Sequence, residues 1–126
     1  MKKIDHPIFT QSISYIRSRI ECTGLDNLEK EVLERIIHST GDFSIQHCLR
    51  FSPNACSLGV SALKAGAPIL TDTFMALAAV TPMAKKTLGT SVHCVLDWSQ
   101  VDEKSNLPRT AIGLERAWHD FSNRSI

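Results

Sequence analysis

Gly66-Ala67-Pro68-Ile69-Leu70-Thr71-Asp72-Thr73 is the stretch whose reading decides the fold. Gly66 offers a left-handed stop to a preceding helix, Pro68 to Thr71 reads as a short buried strand, and Thr73 opens a helix to Val80. Upstream, Cys48 to Phe51 reads as another short strand, Ser52 as an N-cap with Pro53 at the first helical position, and Asn54 to Ala65 as the helix that Gly66 ends. Downstream, Pro82 to Gly89 reads as a loop with room for a helical turn, Thr90 to Leu96 as a β-rich run, and Asp97 to Pro108 as a polar loop before a helix from Thr110 to Phe121. Strand and helix thus alternate three times, the pattern of parallel βαβ units with helices on both faces. The expected fold is a three-layer α/β/α, flavodoxin-like domain with a short parallel sheet of three strands in the order 2-1-3.

Two helices precede that alternation. Phe9, Ile13, Ile16 and Ile20 recur at helical spacing, with Ser12 on the flank and Arg17 on the polar side. The second helix starts at Asp26 with Glu29 as a capping box and runs to Ser39 or Thr40, where Gly41 provides the stop. Steps of about 100° per residue put Leu28, Val32, Leu33, Ile36 and Ile37 on one side and Glu31, Glu34, Arg35 and His38 on the other. His38 is therefore expected outside the core, at a helix carboxyl end, where a positive charge is favoured and a ring is placed for proton transfer.

With 43% hydrophobic and 21% charged residues in 126, the composition is that of one globular domain, read as spanning residues 1–126. Fourteen Lys and Arg against thirteen Asp and Glu leave a formal charge of +1, which argues against wrapping nucleic acid or an anionic membrane. Cys22, Cys48, Cys56 and Cys94 show neither a C-x-x-C pair nor zinc spacing, and no apolar leader precedes them, so a reducing, cytoplasmic setting without a structural metal is expected. His93 and Cys94 are neighbours in a strand reading and point to opposite faces, so they cannot chelate together. In an open parallel sheet, ligands gather beyond the carboxyl ends of the strands, here Ser52 to Asn54, Asp72 and Thr73, and the loop from Asp97 to Arg109. The third strand, Ser91 to Leu96, is an apolar edge without Lys or Pro, and a second copy of the chain is expected to cover it.

Ser12, Arg35-Ile36-Ile37-His38 with Gly41-Asp42, Phe51-Ser52-Pro53, Ala62-Leu63 with Gly66-Ala67-Pro68-Ile69, Asp72 with Met75, and Arg109-Thr110-Ala111 follow one another in an order that resembles the precorrin-8X methylmutases of cobalamin biosynthesis. The cobalt-precorrin-8 methylmutases share the pattern. The resemblance implies a flavodoxin-type fold, a homodimer with the tetrapyrrole near the subunit interface, and migration of a methyl group from C11 to C12 of a corrin precursor without an organic cofactor. It implies that His38 is the catalytic proton donor and that Ser12, Arg109, Thr110 and Asp72 bind the substrate. Thr71 stands where the family commonly has cysteine, Ile13 where phenylalanine is common, and Pro108 where threonine is common. The family pattern also continues, after the helix ending here near Phe121, with a glycine-rich segment, a further strand and a Glu-Ser-Lys-type segment that this sequence lacks.

Such a methyl shift needs no nucleophile, redox centre or metal; one placed general acid suffices. A substrate bearing acetate and propionate groups calls for guanidinium and backbone N–H donors, which Arg109 at a helix start would supply. Each residue also has a plainer reading: Ser12 as a helix flank, Asp72 as a cap, Met75 as core, and Trp98 and Trp118 as packing rather than stacking residues. The alternative function is a non-catalytic protein that binds a corrinoid, haem or related ring.

Overall fold

Helix boundaries follow from the caps. In the computed structural model, which describes residues 6–21, 24–99 and 106–123, α1 (Pro7–Arg19) begins where His6 Nδ1 accepts the Ile8 N–H and Pro7 occupies the first turn. The reciprocal Asp26 and Glu29 bonds start α2 (Asn27–Thr40), and Gly41 ends it at φ 71°. Helix α3 is the single turn Ile45–Cys48, and α4 is Ala55–Lys64. Strand β1 (Ile69–Thr71) leads through the Thr73 cap into α5 (Phe74–Thr87); β2 (Val92–Cys94) leads into a 3₁₀ turn (Val95–Trp98); α6 is Arg109–Asn123.

The chain forms two compact units, residues 1–59 and 60–126. In the first, α1 and α2 bury Ile13, Ile16, Leu33 and Ile37 against one another, with Phe9, Phe43 and Leu49 packed around them. Leu33 and Ile37 are 0% and 1% exposed, whereas Leu28 and Val32, read as core, are 38% and 37% exposed. The buried face is rotated toward Glu34, only 7% exposed. Arg17 makes this possible, donating Nε to Glu34 Oε1 at 2.7 Å and Nη2 to Oε2 at 2.9 Å. A buried carboxylate held by a planar fork costs far less than a bare one.

In the second unit β1 and β2 pair in parallel, Ile69 with Val92, Leu70 with His93 and Thr71 with Cys94. Thr90 Oγ1 donates to the Ala67 carbonyl at 2.7 Å just before the strands, and Thr71 Oγ1 donates to the Thr73 carbonyl at 3.1 Å just after β1. The 3₁₀ turn then packs along α6, whose Gly113 lies against the Val95 carbonyl so closely that a methyl group there would collide with it.

The three-stranded flavodoxin-like sheet of order 2-1-3 is not formed: among the described residues the chain is mainly helical, with one two-stranded sheet. The segment read as the first strand is occupied otherwise. Ile45–Cys48 is a helical turn, Leu49 packs on the α1–α2 core, and Arg50 Nη1 donates to the carbonyls of His47 and Leu49, both at 2.8 Å, so these acceptors bond a side chain rather than a neighbouring strand. Ser52 to Asn54 form a turn rather than a cap beyond a strand, with Asn54 at φ 60°. The loop read at Pro82 to Gly89 is mostly helix: α5 runs through Pro82, whose missing N–H costs one bond while Thr81 Oγ1 donates to the Leu77 carbonyl at 2.7 Å. The run Ser91 to Leu96 is not a long exposed edge, because the strand stops at Cys94 and Val95 is buried. A short strand is itself a way of blunting an edge. No helix among the described residues is long and apolar enough to cross a membrane.

Arg17→Ala leaves Glu34 buried without its fork. Because the Arg17 side chain is 59% exposed, the expected loss is discounted to roughly 1 to 2 kcal/mol, read as a lower urea midpoint of the full chain.

Candidate functional site

The last turn of α2 presents His38 to solvent, as its phase requires, and Ser12 on α1 faces the same space. Both line an open groove of ≈ 460 Å³ whose other walls include Ile8, Tyr15, Ile37 and Phe43. The apolar walls suit a flat, largely apolar ring, while Ser12 and His38 supply a hydroxyl and an imidazole at its rim. Behind His38 stands Phe9, its ring centroid 4.7 Å from that of the imidazole and the two planes at 79°. The Arg35 guanidinium lies over the same phenyl ring, 4.9 Å from its centroid.

The floor of the groove continues through Gly41 into a tight turn. The Gly41 N–H donates to the Ile37 carbonyl at 2.7 Å, and Thr40 Oγ1 accepts from the Asp42 N–H at 3.2 Å. Asp42 Oδ1 then accepts from the Ser44 hydroxyl at 2.7 Å and from the Ser44 N–H at 2.8 Å, which fixes the approach of Phe43. These two donors, the hydroxyl first, hold the Asp42 carboxyl below its ordinary range.

In the second unit, Asp72 and Thr110 line a groove of ≈ 600 Å³ together with Leu70, Val95 and Leu114. Thr73, not Asp72, caps α5, accepting the Ala76 N–H at 3.2 Å, so the exposed Asp72 carboxylate is not spent on that cap. Arg109 opens α6 and is exposed, and its Nη2 donates to the buried Ser99 hydroxyl at 3.3 Å. The five site residues thus fall into two sets, Ser12 with His38 on the first unit and Asp72 with Thr110 and Arg109 on the second.

A family model for precorrin-8X methylmutase matches residues 7–126. The chain belongs to that family. It is similar to the cobalt-precorrin-8 methylmutase of Synechocystis sp., 25% identical over 96% of this chain, and to that of Leptospira interrogans, 33% identical over 69%. The precorrin-8X methylmutase of Pseudomonas aeruginosa is 32% identical over 94% of the chain. The match spans 62%, 40% and 58% of the lengths of these three relatives.

Other chemistry-bearing residues of this methylmutase-family chain sit in packed or capped positions. Cys94 is buried, and His93 packs with Trp98 and Phe121, whose ring centroids lie 5.9 and 5.2 Å away. Desolvation, and then the carboxylates of Asp26 and Glu29, push the Cys56 thiol up, which keeps it protonated and a poor nucleophile. Trp98 donates Nε1 to Asp120 Oδ2 at 2.8 Å, a packing role, whereas Trp118 is exposed. Half of the loop read at Asp97 to Pro108, residues 100–105, lies outside the described residues, as does Cys22. Arg17, on the polar side of α1, and Phe9, an apolar position by its spacing, take their roles from partners on another helix, which no periodicity signals.

The Asp42 turn has a measurable signature. A carboxyl whose folded value is depressed contributes stability that is present above its unfolded value and lost as pH falls through the folded one. The Asp42 carboxyl resonance is expected to titrate below the ordinary 3.8, and Ser44→Ala to move its midpoint back up.

Proposed function

We propose that this chain acts as a methylmutase-type isomerase in cobalamin biosynthesis, moving a methyl group from C11 to C12 of a corrin precursor within one methylmutase-like domain over residues 1–126. The observation that carries the reading is the groove in which Ser12 and His38 meet among apolar walls, within a chain of this family. Substrate and product are isomers, so the protein exchanges no atoms with the ring in the net reaction. His38 lends a proton to the ring as the new conjugation forms, and the proton is returned when the product leaves. Ser12 holds the macrocycle beside the imidazole by a hydrogen bond. Arg109 offers a planar guanidinium to a substrate carboxylate, and Thr110 and Asp72 are assigned as further substrate-binding residues. No organic cofactor and no metal take part, and the reaction belongs to the cytoplasm.

The same groove supports a second reading, that the chain binds a corrinoid, haem or related ring without converting it, since apolar walls bind a ring whether or not a proton is delivered. Visible absorption separates the two. Titration with hydrogenobyrinic acid is expected to shift the ligand spectrum, and precorrin-8X is expected to turn over. His38→Ala should lower turnover at least about a hundredfold while binding persists. Binding without turnover by the wild type selects the carrier, and no spectral change with hydrogenobyrinic acid or haem overturns both.

Homodimerisation belongs to the same proposal. Leu114 and Trp118, one turn apart on α6 and 51% and 71% exposed, give the second unit an apolar outer stripe of the kind that pairs with a copy of itself. Light scattering at micromolar concentration is expected to return twice the chain mass; a monodisperse monomer removes the dimer.

A further inference from the structure

Among the described residues, ring packing holds His38 on one side. Toward Ser12 it borders the open groove, and on its other flank it meets the phenyl ring of Phe9 nearly at right angles, with ring centroids 4.7 Å apart. Phe9 is in turn held twice. It packs against the α1–α2 core, and the guanidinium of Arg35, one turn before His38 on α2, lies over its ring, 4.9 Å from the centroid. Phe9 does not line the groove; it lines the depression on the Arg17–Glu34 flank of the helix pair. Phe9 is thus not among the residues that wall the groove shared by His38 and Ser12.

An exposed histidine at a helix end samples several side-chain rotamers. A perpendicular aromatic neighbour selects among them, because the edge of one ring prefers the face of the other and a swing of the imidazole breaks that contact. We propose that Phe9, braced by Arg35, is a positioning residue that sets the orientation of the His38 imidazole toward the groove it shares with Ser12. The inference deepens the isomerase reading, in which His38 delivers a proton to a bound ring, and names the residue that keeps the donor aimed between turnovers. Delivery to one ring atom demands such aim, since a displacement of about 1 Å can cost up to a hundredfold in rate.

The test compares the full chain with Phe9→Leu, which keeps an apolar side chain and removes the ring, and with Phe9→Tyr, which restores the ring. The three-bond Hα–Hβ couplings of His38 report its χ1 rotamer populations and need no substrate. In Phe9→Leu these couplings are expected to move from those of one rotamer toward averaged values while the amide resonances of Leu33 and Ile37 stay dispersed. Turnover of precorrin-8X should fall roughly tenfold in kcat, with KM held within about twofold, and Phe9→Tyr should recover both signals. A purely packing role for Phe9 would leave the His38 couplings unchanged in Phe9→Leu, and that result overturns the proposal, as does full kcat in a variant whose His38 couplings have averaged. Should Phe9→Leu lose the dispersed Leu33 and Ile37 signals, Phe9→Met, closer in length, carries the same comparison. Wild-type protein without turnover would sink the isomerase reading alone, because the coupling comparison still decides whether Phe9 orients His38.

Discussion

The fork between Arg17 and Glu34 is the constraint on which the first unit depends. It joins α1 to α2 at a point where a carboxylate would otherwise be buried alone, and so it fixes the rotation of α2 about its axis. That rotation decides which residues become core and which reach the groove. With Glu34 turned inward, Leu33 and Ile37 pack against Ile13 and Ile16, and His38, one position further on, emerges beside Phe9 and Ser12. A helix rotated toward Leu28 and Val32 would have carried the histidine away from α1. The charge pair is thus a matter of register more than of stability, the role in which buried ion pairs are best attested.

Local signals in the sequence were read well where the physics is local. Asp26, Glu29 and Gly41 mark the ends of α2 within the chain itself, because a cap is formed by residues three or four positions apart. The strands at Ile69 to Thr71 and Val92 to Cys94 lie inside the runs that suggested them, and Gly66 stops α4 with a positive φ. The candidate site was legible in part for the same reason: the phase of α2 sets His38 away from Leu33 and Ile37, while the order of motifs along the chain carried the family.

What was misread depends on partners distant in sequence. Cys48 to Phe51 has the apolar content of a strand, but a strand needs a neighbour, and here the Arg50 side chain bonds the carbonyls while the first unit takes Leu49 into its core. The doubly wound sheet failed with that strand. Pro82 opens a stretch with the composition of a loop, but one lost hydrogen bond does not outweigh the packing of a helix that runs from Phe74 to Thr87. The polar face assigned to α2 was wrong at Glu34, since a count of periodicity treats every carboxylate as solvated and cannot foresee a guanidinium supplied by another helix.

The contrast between the two tryptophans gives the second unit two optical labels of different kinds. Trp98 is half-buried among His93 and Phe121 with its indole N–H given to Asp120, so its emission reports the seating of the 3₁₀ turn on α6. Trp118 stands on the outer side of that helix, bathed by solvent, and reports whatever approaches it. Since the chain has only these two tryptophans, removing one indole leaves the other as a single-site probe. Folding of the second unit and occupancy of its surface can therefore be followed as separate colours of one fluorescence spectrum.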